Sequence, residues 1–222
     1  LAIEAAFIEI GEEITTTGIL DFKATQINGH GGQVEVTGKI SASKVFLQSY
    51  QKTQIFGGIR SLENETSQGG LIHILSGEDV QVREGAVIDA SGKLGGGTVL
   101  IGGDFQGKGQ VANAQNTFIS PKAIIKADAQ EEGNGGTVII WADQTTLFYG
   151  QVSARGGRLG GDGGMVEVSG KGDLTFRGEV NNKAWAGKDG TLLLDPTNVI
   201  IASGCCGSND GELGDDEILA AD

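Results

Sequence analysis

The chain is poor in most of what reactive or disulfide-stapled domains are built from. Its 222 residues include 2 prolines, 2 cysteines, 2 histidines and 1 methionine, and aromatic residues make up only 5%. Cys205 and Cys206 are adjacent, so they cannot supply the paired spacing of a zinc site or staple distant parts of the chain together. They read as a local loop feature; a disulfide between neighbours and a link to another chain are the other readings. A chain otherwise free of thiols is compatible with an oxidising exterior. Basic residues are scarce as well: 16 Lys and Arg against 29 Asp and Glu give a net charge of -13, which excludes nucleic acid as a partner because phosphates need a basic surface. No apolar run approaches the ~20 residues of a membrane helix, and the start, LAIEAAFIEIGEE, lacks the basic flank of a signal peptide. The sequence begins without Met and is already strand-like by Ala6 to Ile10, so it is expected to be a piece of something longer, with any export signal outside it.

Glycine is abundant, at 39 residues, but has no every-third spacing of the collagen kind, and the 38% of hydrophobic residues fall in alternating runs that oppose disorder. One phrase recurs six times: GGQVEV at 31–36, GGLIHI at 69–74, GGTVLI at 96–101, GGTVII at 135–140, GGMVEV at 163–168 and DGTLLL at 189–194. The intervals are 38, 27, 39, 28 and 26 residues, so the two long ones predict insertions near 39–68 and 102–116. A second phrase follows at a regular offset, as in DVQVREGAVIDASG at 79–92 and TTLFYGQVSARGG at 145–157, and holds two further short strands. A unit of three strands and three turns is the signature of a solenoid whose coils cover one another's apolar faces.

Period-two alternation turns Val34 and Val36, Ile72 and Ile74, Val99 and Ile101, Val138 and Ile140, Val166 and Val168, and Leu192 and Leu194 inward. Leu174, Phe176, Leu147 and Phe118 are expected to fill the same core from the second strand, and glycines with positive φ to turn the corners. The GGDGG at 160–164 precedes a strand, lacks a following Lys-Ser/Thr, and carries one Asp162 rather than a tandem series. Phosphate and repeat-type calcium sites are therefore both disfavoured.

Function would sit on outward positions. In the lead-strand column these are Glu35, His73, Leu100, Ile139, Glu167 and Leu193, and a row of exposed apolar groups needs a cover. Either the inserted segments fold over Leu100, Ile139 and Leu193, or these form a contact surface for a partner or a second copy. Trp141 and Trp185, with Tyr149, are the aromatic candidates for a carbohydrate contact, against the simpler role of capping an apolar edge. The carboxylates Asp79, Asp89, Asp104, Asp128, Asp143 and Glu167, with Lys126 or Arg155, are the candidates for polysaccharide hydrolysis or lysis, but they are scattered one or two per coil. His30 and His73 read as surface residues rather than general bases. The tail at 208–222 concentrates Asp210, Glu212, Asp215, Asp216 and Glu217, which reads as a solvated acidic end or the start of a next segment, with weak Ca2+ binding as the other reading.

The stretch GGMVEVSGKGDLTFRGEV followed by GKDGTLLLDPTNVII resembles the repetitive regions of filamentous-haemagglutinin-like exoproteins of two-partner secretion, over roughly residues 70–201. The resemblance implies a right-handed parallel β-helix, export through an outer-membrane secretion pore partner, and service as a secreted or cell-surface fibrous adhesin without catalytic residues or cofactors. The family's Asn-Pro motifs are absent, since Pro121 and Pro196 follow Ser and Asp, so a downstream shaft is expected rather than a secretion-targeting cap.

The sequence thus predicts an all-β parallel β-helix with three short strands per coil, eight or nine coils over residues 1–202, and an acidic irregular end at 203–222. The expected role is a non-catalytic structural shaft of a filamentous adhesin, whose partners would include a host or neighbouring-cell surface glycan or protein. A self-assembling extracellular filament or envelope-layer subunit built by end-to-end self-association is the first alternative. A carbohydrate-binding or polysaccharide-cleaving β-helix is the second.

Overall fold

Alternating apolar and polar residues in runs of three to six make strands with one buried face, and a coil that returns every two dozen residues can bury that face only against its own neighbours. The computed structural model describes residues 1–63 and 66–197. Among them the strands stack into three parallel sheets of eight, seven and seven strands, one from each coil. A representative coil runs Thr137–Ile140 in the lead sheet, Thr145–Phe148 in the second and Gln151–Ser153 in the third. The next coil places Met165–Val168, Asp173–Phe176 and Glu179–Asn181 on them in parallel register. Seven complete coils are described, and Thr191–Leu193 opens an eighth. This is the three-strand parallel β-helix that the repeat predicts. The acidic end at 203–222, with Cys205 and Cys206, lies outside the described residues.

Register partners form continuous apolar columns. In the lead sheet Leu20, Val45, Ile72, Val99, Val138, Val166 and Leu192 stack in order. In the third sheet Ile14, Ile40, Ile59, Ile88, Ile125, Val152 and Val180 do the same. Each fully buried Ile or Val contributes about 1.5–3 kcal/mol relative to exposure.

Three expectations change. The phrase GGQVEV belongs to the second sheet, where Gln33–Val36 pairs with Phe7–Ile10 and Lys52–Ile55, so Glu35 is not part of the lead column. The lead strands of the early coils are Ile19–Ala24 and Lys44–Ser49, which carry no Gly-Gly signal. Residues 39–61 are consequently regular coil strands rather than an insertion, and the extra chain near the N-terminal end is the small antiparallel hairpin of Gln26–Ile27 and His30–Gly31. Finally, Leu147 and Phe118 point outward, while Thr146, Phe148, Thr117 and Ile119 point in. The buried hydroxyls of Thr53, Thr117 and Thr146 donate to the carbonyls of Leu75, Trp141 and Ser169 at 2.7–2.8 Å, so the core there is partly polar and fully satisfied.

The glycines of the repeated phrase serve chiefly close approach. Gly136, Gly164 and Gly190 have no positive φ, but a Cβ on each would strike the carbonyl oxygen of Gly97, Gly136 and Gly164 respectively, one rung below. Positive φ is needed elsewhere in the same corner, as at Gly161 with φ 118°.

Candidate functional site

Two places on the helix gather the chemically capable side chains. The first is a groove beside the third sheet, where a coil turns back toward the lead sheet. Strand Ile124–Lys126 buries Ile125 and so turns Lys126 outward; two residues on, Asp128 is only 6% exposed. One carboxylate oxygen of Asp128 accepts from the Ser153 hydroxyl at 2.6 Å and the Arg155 backbone N–H at 2.8 Å. The other accepts from the Arg155 guanidinium, Nη2 at 2.8 Å and Nε at 3.3 Å. The Asp128 N–H donates to the Ser91 hydroxyl on the preceding rung at 3.1 Å. Four donors on a buried carboxylate hold Arg155 in one orientation, and the bond to Asp128 raises the guanidinium pKa further above its ordinary value.

Around this pair lies a groove of about 390 Å³ lined also by Asp89, Lys126, Gln130, Arg158 and Trp185. Asp89 and Lys126 are register partners on adjacent rungs, yet the ion pairs found among the described residues are Lys122 with Glu84 and Arg155 with Asp128. Trp185 stands 65% exposed on the corner turn after Asn181. That turn is pinned by Ala184 N–H to Asp189 at 2.8 Å and by Lys188 N–H to Asp162 at 2.9 Å, while the Asp162 N–H donates to Asn134 at 2.8 Å. The lone aspartate of GGDGG is thus a tie between three stacked corners.

The second place is the outer face of the lead sheet. Leu100, Ile139, Glu167 and Leu193 are register neighbours in a column, and all are buried, with Trp141 beside them at 4% exposure. The loop between Thr98–Ile101 and Asn116–Ile119 covers Trp141, the Leu100 and Ile139 packed with it, and Glu167. Gly103 and Gly107 lie so close to the indole that a Cβ would come within 2.7 Å and 2.6 Å of ring atoms. The indole N–H donates to Asp143 at 3.0 Å, and Asn113 donates to the same oxygen at 3.1 Å. A single 3-10 turn, Phe105–Gly107, capped by Asp104, crosses the rungs and presents the Gln106 N–H to both oxygens of Glu167 at 3.2 and 3.1 Å. Gln106 adopts a left-handed φ of 52° to do so. Burial raises the Glu167 pKa above its ordinary value; the Gln106 N–H and Ser169 oppose the rise, and Asp195 and Asp104 add to it.

Of the two predicted covers, 102–116 therefore folds over this face and 39–68 does not. Trp141, with Leu100 and Ile139 packed against it, lies beneath the chain's own loop, and Leu193, considered above as part of the same contact surface, is buried as well. Trp185 remains open to solvent. Tyr149 tilts against Phe118 on the second sheet at 6.1 Å, Asp79 accepts from Asn116 on the same sheet, and His30 is exposed on the hairpin. His73 sits edge-on to Phe46 at 5.0 Å, and burial lowers its pKa against the opposing charge of Asp104.

No protein-family model and no curated protein matches the chain. Among solved structures, the crystal structure of the HMW1 secretion domain from Haemophilus influenzae matches with 20% identity and a TM-score of 0.46. The match covers 79% of this chain and 64% of that one, so the chain spans less than two thirds of it.

General acid and base work needs a pair of reachable carboxyls with separated pKa values. Glu167 has a raised pKa but is sealed under the loop, and Asp128 is saturated by donors. No group of three or more His, Cys, Asp or Glu side chains able to hold a metal ion occurs among the described residues. What the groove does offer is a fixed guanidinium, two further cations and an open indole. Sequence reading had named Asp89, Lys126, Asp128, Arg155 and Trp185 separately. It missed that they share one groove and that Arg158 joins them. The signal was present, because Asp128 and Arg155 are 27 residues apart, one coil length.

Proposed function

We propose that the chain is a non-catalytic structural segment, a stiff shaft, of an exported filamentous surface protein. The observation that supports this reading most is the unbroken stack of three parallel sheets, in which every coil uses the same registers and the reactive-looking carboxyls are consumed in holding loops and corners. A stack of this kind resists local unfolding because each rung's backbone is bonded on both sides. The likeness of its glycine and strand phrases to filamentous-haemagglutinin-like exoproteins adds the export route through an outer-membrane pore and the extracellular location. No helix among the described residues is long and apolar enough to cross a membrane.

The reading is tested in two ways. Antibody against the purified chain should label intact, unpermeabilised cells that produce the parent protein. Incubation with a panel of plant, algal and bacterial polysaccharides should release neither new reducing ends nor unsaturated products. Labelling only after permeabilisation, or steady product release, overturns it.

A further inference from the structure

The groove beside the third sheet is a built site that scaffolding does not use. A shaft needs outward charges only for solubility, and such charges are normally mobile and fully solvated. Here a nearly buried carboxylate, Asp128, is dedicated to fixing one guanidinium, and it is itself fixed by bonds across three rungs. The Nη1 edge of Arg155 has no partner among the described residues, and the Arg155 side chain is 42% exposed. Lys126 and Arg158 line the same groove with no ion pair among the described residues. In a chain of net charge -13, the three cations Lys126, Arg155 and Arg158 outnumber the two carboxylates Asp89 and Asp128 in this groove, a local reversal of sign.

We propose that this groove binds an acidic polysaccharide through its uronate carboxylates. The planar edge of a held guanidinium matches a carboxylate in a way that a mobile ammonium does not, which favours carboxylate over sulfate as the recognised group. Lys126 and Arg158 supply the remaining charge. Trp185, exposed at the groove wall, offers a flat apolar face for the C–H face of a neighbouring sugar ring, and the Gln130 side-chain amide can donate and accept hydrogen bonds with hydroxyls. The groove is open, as binding within a continuous polymer requires.

The inference goes beyond the scaffold reading and does not depend on it. The test is calorimetric titration of the full chain with oligogalacturonate, with its methyl ester, which has the same backbone without the charge, and with a sulfated dextran oligomer. Saturable binding of the oligogalacturonate is expected, with both other ligands weaker by about tenfold or more. Trp185→Ala, at an exposed position, should weaken binding about threefold or more with an unchanged melting curve. Arg158→Gln should weaken it and flatten its salt dependence. Arg155→Lys should lose the preference over sulfate; should that variant fail to fold, Trp185→Ala and Arg158→Gln still decide. No binding, equal binding of the ester, tighter binding of the sulfated oligomer, or an affinity indifferent to Trp185→Ala overturns the inference. If the oligomer is bound and cleaved, the non-catalytic reading falls while the binding site stands.

Discussion

Glu167 shows how a single buried group ties chemistry to stability. Its folded pKa lies above its unfolded value because burial penalises the charged form. Its stabilising contribution is therefore complete below the unfolded carboxylate pKa and is lost as pH rises through the raised folded value. Glu167→Gln keeps an oxygen for the Gln106 N–H and removes that dependence. Denaturant midpoints measured from acid to neutral pH should fall with rising pH more steeply for the native chain than for the variant, leaving the variant relatively more stable at neutrality; parallel curves would contradict the assignment. Gly136 makes a second residue-scale test. Its Cβ space is taken by the backbone one rung below, so Gly136→Ala should cost about 1–3 kcal/mol, whereas Gly11→Ala, where φ is not positive and the nearest atom to a Cβ is the Thr37 hydroxyl at 3.9 Å, should cost little. Equal urea midpoints for native chain and Gly136→Ala would refute the close-approach role. The residue scale is also where sequence reading failed most clearly. In TTLF two large apolar residues are adjacent, and the phase of the alternation is decided by Thr146, whose buried hydroxyl finds a carbonyl that only the folded corner supplies.

At the scale of elements, the loop over the lead sheet is the part most separable from the coil. Its ends meet where the Ala114 N–H donates to the Gly102 carbonyl at 2.6 Å, so the rung stays closed if the residues between are shortened. Replacing 104–112 by a short turn should leave the β-sheet circular dichroism intact, expose Leu100, Ile139 and Trp141, and produce hydrophobic-dye binding, a red-shifted tryptophan emission and self-association in light scattering. A monomer that binds no dye would show that the loop is not a cover. This element was legible in advance, since a long repeat interval and an outward apolar row pointed to the same place. The early coils were not, because Lys44–Ser49 performs as a lead strand without the glycine pair, and GGQVEV carries the glycine pair into the second sheet. Glycine pairs mark corners where backbones approach closely, and such a corner can precede any of the three sheets.

Across the whole molecule the three-sided plan follows from the repeat, because stacking coils buries an apolar face that recurs in each; against the eight or nine coils expected over 1–202, the described residues hold seven complete coils and the start of an eighth. The groove does not follow, since its residues come from successive rungs and their convergence depends on how corner turns stack. Cooperativity is the property that belongs to this scale. Val166 is fully buried and packs in the column between Val138 and Leu192, so Val166→Asp places an unpaired charge in that column at a cost above about 4 kcal/mol. Protease should then cut the coils on either side of residue 166 while the early coils hold; resistance throughout would contradict the register.

Three parallel sheets stacked as one continuous column are the central feature of the molecule, and their unity is open to measurement. Amide hydrogen exchange, resolved along the chain, tests it directly. Strands of all three sheets from Ile19 to Val180 should exchange together and slowly, with the hairpin at 26–31 and the exposed corner turns opening first. If the lead-sheet strands exchange on a different timescale from the strands that follow them in the same coil, the coils are not the unit of structure and the stacked-column account fails.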